Sequence, residues 1–145
     1  MNNIIIRNGD IFSAKCESIV NPVNCVGVMG RGLALQFKNK FPNMYNDYVE
    51  KCRNNLVKIG IPYIFEENGV KIVNFPTKTH WKNKSELGYI RQGLLYLKYH
   101  YKEMGIKSIA IPKIGCGCGG LNWEMVKKEI IRILGITNLT IEIFE

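Results

Sequence analysis

Short apolar runs alternate with amphipathic stretches along most of this chain. The runs NIIIRNGD and ESIVNPVN are rich in β-branched residues and predict two early strands. From residue 31 onward, Leu33, Phe37 and Phe41 recur every four positions while lysines lie between them, which predicts an amphipathic helix. Pro42 suits the first turn of a following helix, PNMYNDYVEKC.

The second half of the chain continues this alternation. Asn68-Gly69 predicts a tight β-hairpin within PYIFEENGVKIVNFPT. A helical period runs from Ser85, the expected N-cap, to Glu103, and Gly105 marks its end. SIAIPKIG is almost wholly apolar, which is typical of a strand buried on both faces. A helix, EMVKKEIIRIL, and a strand, LTIEIFE, complete the pattern.

This order of elements predicts an α/β fold, a three-layer α/β/α sandwich with helices on both faces of a central sheet. The hairpin must be antiparallel, so we expect the sheet to be mixed. Proline cannot donate to a ladder, so we expect Pro22 to close the second strand or to place it at an edge. The 145 residues show no repeat or linker, and we expect a single domain, 1–145.

Composition narrows the class of protein further. No apolar run reaches the roughly 18 residues of a membrane span, and the N-terminus lacks signal-peptide features, so we expect a cytoplasmic protein. The five cysteines are odd in number and irregularly spaced, which argues against a secreted disulfide framework. Cys116 and Cys118 lack the usual spacing of a metal knuckle, and both histidines lie far off in sequence. We therefore expect no metal.

The formal net charge of +8, from 20 Lys and Arg against 12 Asp and Glu, favours polyanionic partners or small anionic ligands. A Lys-rich background composition explains the same number equally well, because it also aids solubility. Charge alone does not decide between these interpretations.

Two glycine-rich segments occupy equivalent settings. GVMGRGLA (residues 27–34) and GCGCGG (residues 115–120) each follow an apolar strand and precede a helix. Neither completes a dinucleotide or P-loop motif, since Leu35 occupies the third glycine position of the first segment. Each segment could merely turn tightly. Two together favour an anion cradle at the carboxyl ends of the strands, suited to a pyrophosphate.

Three blocks in the same order carry a family resemblance. NGDIFSAKCESIVNPVNCVGVMGRGLALQFKNKFP, NFPTKTHW and IAIPKIGCGCGGLNW resemble a macrodomain, the ADP-ribose-binding fold. Within that family they are most similar to the branch of the DarG antitoxin macrodomain and the terminal ADP-ribose protein glycohydrolase. The resemblance runs from Asn8 to about Trp123. It implies ADP-ribose as the ligand and no cofactor.

The resemblance implies three candidate catalytic residues. Lys78 matches the lysine that acts at the anomeric carbon of the distal ribose. Asn24 matches the asparagine that hydrogen-bonds this ribose. His80 serves either as an acid/base partner or as a bystander on the same face. Trp81 either stacks on a base or packs as a lid on the core.

The implied ligand contacts extend over both glycine-rich segments. Asp10 matches the residue that reads the adenine amino group, although an Asx turn is the alternative. Asn21 could instead be only a strand-end cap. The implied ligand-binding residues are Asp10, Ile11, Asn21, Asn24, Val28, Met29, Gly30, Gly32, Leu33, Ala34, Pro76, Thr77, Ile114, Gly115, Cys116, Gly117, Cys118, Gly119, Gly120 and Leu121.

The function implied by the resemblance is that of an ADP-ribosyl hydrolase. Glycine at 119 or nearby, where the protein glycohydrolase carries an acid, favours the DarG side and ADP-ribosylated DNA, modified at thymidine. Removal of ADP-ribose from acidic protein side chains or from O-acetyl-ADP-ribose is an alternative, and so is a non-catalytic reader. The implied partners are ADP-ribosylated DNA or protein and a cognate ADP-ribosyltransferase toxin. We expect a monomer without a membrane partner.

Overall fold

Strands and helices alternate through residues 3–145, the part of the chain that this computed structural model describes. The strands are β1 (Ile4–Arg7), β2 (Ser18–Asn24), β3 (Tyr63–Glu67), β4 (Val70–Lys78), β5 (Ser108–Ile111) and β6 (Thr140–Phe144). The helices are α1 (Gly32–Lys40), α2 (Pro42–Arg53), α3 (Leu87–His100) and α4 (Trp123–Leu134), with a short 3-10 turn at Ile11–Ser13.

The strands form one mixed sheet in the order β1-β6-β5-β2-β4-β3. Neighbouring strands are parallel except β3 and β4, which form the expected antiparallel hairpin. Helices α3 and α4 cover one face, where Leu94 and Ile130 are fully buried. Helices α1 and α2 cover the other through Phe37 and Met44. The predicted three-layer α/β/α sandwich is confirmed.

Pro22 does not end β2, and that expectation is wrong. Strand β2 lies between β5 and β4 and continues to Asn24. The register against β5 includes only Ser18 and Ile19. Pro22 therefore lies where β5 has already ended, and its missing N–H costs no ladder bond on that side.

The pairing of β2 with β4 changes register at the end of β2. Val23 pairs with Pro76 of β4, whereas the next residue, Asn24, pairs with Lys78. Thr77 is thus an extra residue on β4, as in a β-bulge, and bulges re-aim side chains. The shift places Asn24 and Lys78 opposite each other.

Ser85 is not the N-cap of α3, contrary to expectation, because the helix begins after Glu86. The buried Ser85 hydroxyl donates to the carbonyl of Thr77 at 2.7 Å. Its backbone N–H donates to the carbonyl of Gly119 at 3.0 Å. Ser85 therefore ties the second glycine-rich segment to the end of β4.

Helix α3 packs on β4 through a glycine, which gives a stability prediction. We expect Gly93→Ala to lower the free energy of unfolding by about 1–3 kcal/mol. A Cβ at Gly93 would lie 2.7 Å from Cε1 of Phe75, whose ring is fully buried. The measurement is urea unfolding of the two chains.

Gly88→Ala is the matched control on the same helix. An added Cβ at Gly88 meets nothing within 4 Å, so we expect no loss, or a gain of up to about 1 kcal/mol from helix propensity. A Gly93 variant as stable as the Gly88 variant would contradict this packing.

Within residues 3–145, no helix has both the length and the apolar character needed to cross a membrane.

Candidate functional site

A cavity of about 1010 Å³ opens at the carboxyl ends of β2, β4 and β5. This is where open α/β sheets hold their ligands. The predicted site residues that line it are Asn24, Val28, Gly30, Gly32, Leu33, Ala34, Thr77, Lys78, Gly115, Cys116, Gly117, Cys118, Gly119 and Leu121. Both glycine-rich segments therefore meet at one cavity, as their settings in the sequence indicated.

Asp10 and Ile11 lie at an adjoining pocket of about 530 Å³. The two spaces share Leu33, Pro112 and Lys113 in their walls. The Asp10 carboxylate accepts a hydrogen bond from the backbone N–H of Phe12 at 2.9 Å, so the Asx-turn alternative is present. One carboxylate oxygen takes part in that turn, and contact with adenine through the exposed carboxylate stays a prediction.

Four other expected contacts lie beneath the cavity rather than in its wall. Met29, Pro76 and Ile114 are buried and do not line it. Asn21 is fully buried, and its amide nitrogen donates to Oδ1 of Asn74 at 3.0 Å. These four side chains lie outside the cavity wall, and their contacts with a ligand stay a prediction.

Gly120 also lies outside the wall, at the end of the second glycine-rich segment. Its φ of +79° is a left-handed conformation that favours glycine. Its N–H closes the segment by donating to the carbonyl of Gly117 at 3.2 Å. Gly120 thus shapes the loop that Gly117 and Gly119 present to the cavity.

Unpaired backbone N–H groups line the segment 115–120. Among the contacts of residues 3–145, none accepts from the N–H of Gly117, Cys118 or Gly119. Consecutive free N–H groups in a turn form an anion-binding concavity. Burial raises the pKa of the neighbouring Cys116 thiol, although Lys113 opposes the shift. At neutral pH, Cys116 therefore adds no negative charge to the concavity.

The first glycine-rich segment leads directly into α1. Arg31, Gly32, Leu33 and Ala34 form the start of the helix and face the cavity. The first N–H groups of a helix have no intrahelical partner, and the helix dipole adds positive potential there. This segment therefore offers a second set of N–H groups that suits an anion at the same cavity.

Asn24 is held by the turn that follows β2. Its Oδ1 accepts from the N–H groups of Val26 at 3.1 Å and Val28 at 3.4 Å. Its amide nitrogen donates to the carbonyl of Val28 at 2.8 Å. The Tyr48 hydroxyl lies 2.8 Å from this Oδ1, and burial raises the pKa of Tyr48, which keeps it a donor. Asn24 therefore has one amide N–H left for a ligand.

Lys78 lines the same cavity as Asn24. Its Nζ donates to the backbone carbonyl of Trp81 at 3.0 Å. His80, by contrast, does not line the cavity, and its Nδ1 accepts from the backbone N–H of Lys82 at 3.1 Å. This position favours the bystander alternative for His80.

Several wall residues were missed from the sequence. They are Pro22, Val23, Arg31, Pro112, Lys113 and Trp123, whereas Trp81, for which the sequence offered stacking on a base or packing as a lid, also lines the wall. Arg31 and Lys113 could have been found, because they lie inside or beside the glycine-rich segments. With Lys78 they make three cations in the wall, and no Asp or Glu lines this cavity among residues 3–145. In the same part of the chain, no group of three or more His, Cys, Asp or Glu could hold a metal ion.

Known proteins share this architecture. The Macro domain family matches residues 20–130. The DNA ADP-ribosyl glycohydrolase of Mycobacterium tuberculosis is 44% identical over 132 residues, which cover 88% of this chain and 38% of that protein. The DNA ADP-ribosyl transferase-DNA ADP-ribosyl glycohydrolase fusion protein of Thermosipho africanus is 35% identical over 98% of this chain and 42% of its own length.

The structural likeness is equally close. Thermosipho africanus DarTG in complex with ADP-ribose superposes with a TM-score of 0.92 at 36% identity, over 99% of this chain and 42% of that one. The chain thus spans about two fifths of the length of these relatives. The family match includes the end of β2 and both glycine-rich segments. The chain belongs to the Macro domain family.

Proposed function

We propose that this chain binds ADP-ribose and hydrolyses its bond to a modified DNA base, the thymine of a thymidine. The relatives described above are named for glycohydrolase activity on ADP-ribosylated DNA, and they share this part of their length with the chain. The residues that line the cavity support the same activity, because they suit both the diphosphate and the distal ribose of the ligand.

The proposed position of the ligand follows from the donors. The diphosphate lies between the free N–H groups of residues 117–119 and the start of α1. The adenosine extends toward the adjoining pocket that holds Asp10. The distal ribose lies beside Asn24 and Lys78, which the register shift places opposite each other.

The observation that carries the proposal is the amine of Lys78 in a cavity wall that holds no carboxylate among residues 3–145. Lys78 attacks the anomeric carbon of the distal ribose through the lone pair of Nζ, after its ammonium group has given a proton to solvent water. A bond forms from Nζ to that carbon, the bond from the carbon to the thymine nitrogen breaks, and the base leaves with the electron pair and takes up a proton. Water then cleaves the lysine adduct and releases ADP-ribose. Since no carboxylate of the described residues 3–145 lines the wall, solvent water carries the protons.

The partners we propose are ADP-ribosylated DNA and the transferase that modifies it. The net charge of +8 supports binding to a phosphate backbone through counterion release. The Thermosipho africanus relative joins a transferase and a glycohydrolase in one chain, which supports a functional pair.

The test combines binding and turnover. ADP-ribose at 100 times its Kd should stabilise the fold by about 2.7 kcal/mol and raise the Tm. Thymidine-ADP-ribosylated DNA should be hydrolysed faster than glutamate-ADP-ribosylated protein or O-acetyl-ADP-ribose in parallel assays. No Tm shift at millimolar ADP-ribose would refute the ligand. A shift without turnover of any substrate would indicate a reader.

A further inference from the structure

Ser85 joins two parts of the cavity wall that lie far apart in the sequence. Its side chain is 6% exposed and does not itself line the cavity. Its hydroxyl donates to the carbonyl of Thr77 at 2.7 Å, and its backbone N–H donates to the carbonyl of Gly119 at 3.0 Å. Both acceptors belong to wall residues. Ser85 therefore fixes the end of β4 relative to the second glycine-rich segment without facing a ligand.

The Thr77 carbonyl belongs to the peptide unit that carries Lys78. Because a peptide unit is planar, the direction of this carbonyl sets the direction of the Lys78 N–H and the position of its Cα. Thr77 is the extra residue of the bulge in β4, where regular ladder pairing is interrupted. Its own hydroxyl reaches the carbonyl of Val23 only at 3.5 Å. The bond from Ser85 therefore holds the backbone from which Lys78 projects.

The segment that ends in Ser85, residues 79–85, also holds the other end of Lys78. The Nζ of Lys78 donates to the backbone carbonyl of Trp81 at 3.0 Å. Two hydrogen bonds of Asn83, both at 3.0 Å and both to residues within the segment, keep it closed. Lys78 is thus fixed at its amine by this segment and at its backbone through Ser85.

The contact between Ser85 and Gly119 is equally close. A Cβ added at Gly119 would lie 2.6 Å from Oγ of Ser85, so the serine packs directly against the glycine-rich segment. Residues 117–119 of this segment carry the free N–H groups that face the proposed diphosphate position. A displacement of Ser85 would therefore change the position of Lys78 relative to these N–H groups.

We propose that Ser85 is a positioning residue for this hydrolysis, which sets the Lys78 amine relative to the diphosphate held by residues 117–119. The inference rests on the proposed function and adds a residue that acts through Lys78 and touches no ligand. Attack by an amine requires alignment with the anomeric carbon, and a misplacement of about 1 Å costs roughly 10²-fold in rate. Ser85 therefore affects the rate of the chemical step more than the affinity for ADP-ribose.

The test compares two buried serines that make the same kind of bond. Ser85→Ala removes the hydroxyl and keeps the backbone N–H that bonds Gly119. It should lower kcat on thymidine-ADP-ribosylated DNA about 10- to 100-fold. The KM and the ADP-ribose Kd should stay within about threefold of their values in the unaltered chain, since uniform binding is retained.

Ser18→Ala is the matched control at the opposite end of the sheet. The fully buried Ser18 hydroxyl donates to the carbonyl of Ser108 at 2.6 Å, at the first residue of β2. Each variant loses one buried hydrogen bond, so urea unfolding should show similar losses of stability. Only Ser85→Ala should lose kcat. If Ser85→Ala does not fold, Ser85→Cys carries the same measurements, because a thiol is a weaker donor of similar size.

A second measurement follows the amine without any turnover. Reductive methylation with ¹³C-formaldehyde labels Lys78, and its NMR signal is the one missing from Lys78→Ala. In Ser85→Ala this signal should move from its position in the unaltered chain, both alone and with saturating ADP-ribose. In Ser18→Ala it should stay in place.

Four results would overturn the proposal. They are an unchanged kcat in Ser85→Ala, an equal loss of kcat in Ser18→Ala, a loss of ADP-ribose affinity as large as the loss of kcat, and an unmoved Lys78 signal. If the unaltered chain hydrolyses no substrate, the proposed function fails, whereas the Lys78 signal still decides whether Ser85 positions the amine.

Discussion

Lys78→Ala is expected to reduce hydrolysis of ADP-ribosylated DNA by at least about 10²- to 10⁴-fold, because it removes the reacting amine. ADP-ribose affinity should change only a few-fold, since Lys78 lies opposite Asn24, at the proposed ribose position, rather than at the free N–H groups of residues 117–119. The measurements are single-turnover hydrolysis and ADP-ribose titration calorimetry on the same preparations.

Two further lysine variants separate chemistry from charge. Lys78→Arg keeps the positive charge, but a guanidinium does not deprotonate in proteins, so it should be as inactive as the alanine variant. Lys113→Ala removes another cation from the wall, shared with the adjoining pocket, and should weaken ADP-ribose binding while sparing the chemical step. An active Lys78→Arg enzyme would show that Lys78 acts only through its charge.

Gly117→Glu is expected to weaken ADP-ribose binding about 10²-fold, because it places a carboxylate beside the proposed diphosphate position. An added Cβ at Gly117 meets nothing within 4 Å, and its backbone is not left-handed, so the folded loop tolerates the substitution. Calorimetry measures the affinity, and urea unfolding checks that stability is retained.

Neighbouring glycines supply the controls. Gly117→Ala adds bulk without charge and should bind ADP-ribose nearly as the unaltered chain does. Gly119→Ala places a Cβ against the carbonyl oxygen of Gly115 and 2.6 Å from Oγ of Ser85, so it should disturb the loop itself and lower both stability and affinity. If Gly117→Glu retains full affinity, this loop does not hold the diphosphate.

The sequence predicted the layers and the cavity because both depend on local pattern. Apolar residues at helical spacing predicted the helices on each face. Two glycine-rich segments, each after a strand, predicted the position of the carboxyl edge of the sheet. The errors came from residues whose role depends on distant neighbours. Pro22 is tolerated inside β2 because β5 ends early, and Ser85 bonds Thr77 and Gly119 instead of capping a helix.

The same distinction holds within the site. Motif matching grouped Met29 with Val28 and Gly30, but only packing shows that Met29 is buried under α1 and α2. Period-two alternation could not place His80 and Trp81, since the segment 79–85 leaves the strand and closes on its own hydrogen bonds. The bulge at Thr77 could not be read from spacing, because it exists only in the pairing of β2 with β4.

Among residues 3–145, the charged side chains of the cavity wall are all cationic, and these groups and the free N–H groups also affect how the reaction ends. In the proposed reaction these donors would hold the diphosphate equally well before and after the bond to the base is cleaved, so they would bind substrate and product alike. Affinity of this kind favours capture of a scarce lesion and slows departure of the free nucleotide. Such an enzyme would remove rare modifications efficiently at low substrate concentration. It would also be inhibited by its own product as free ADP-ribose accumulates.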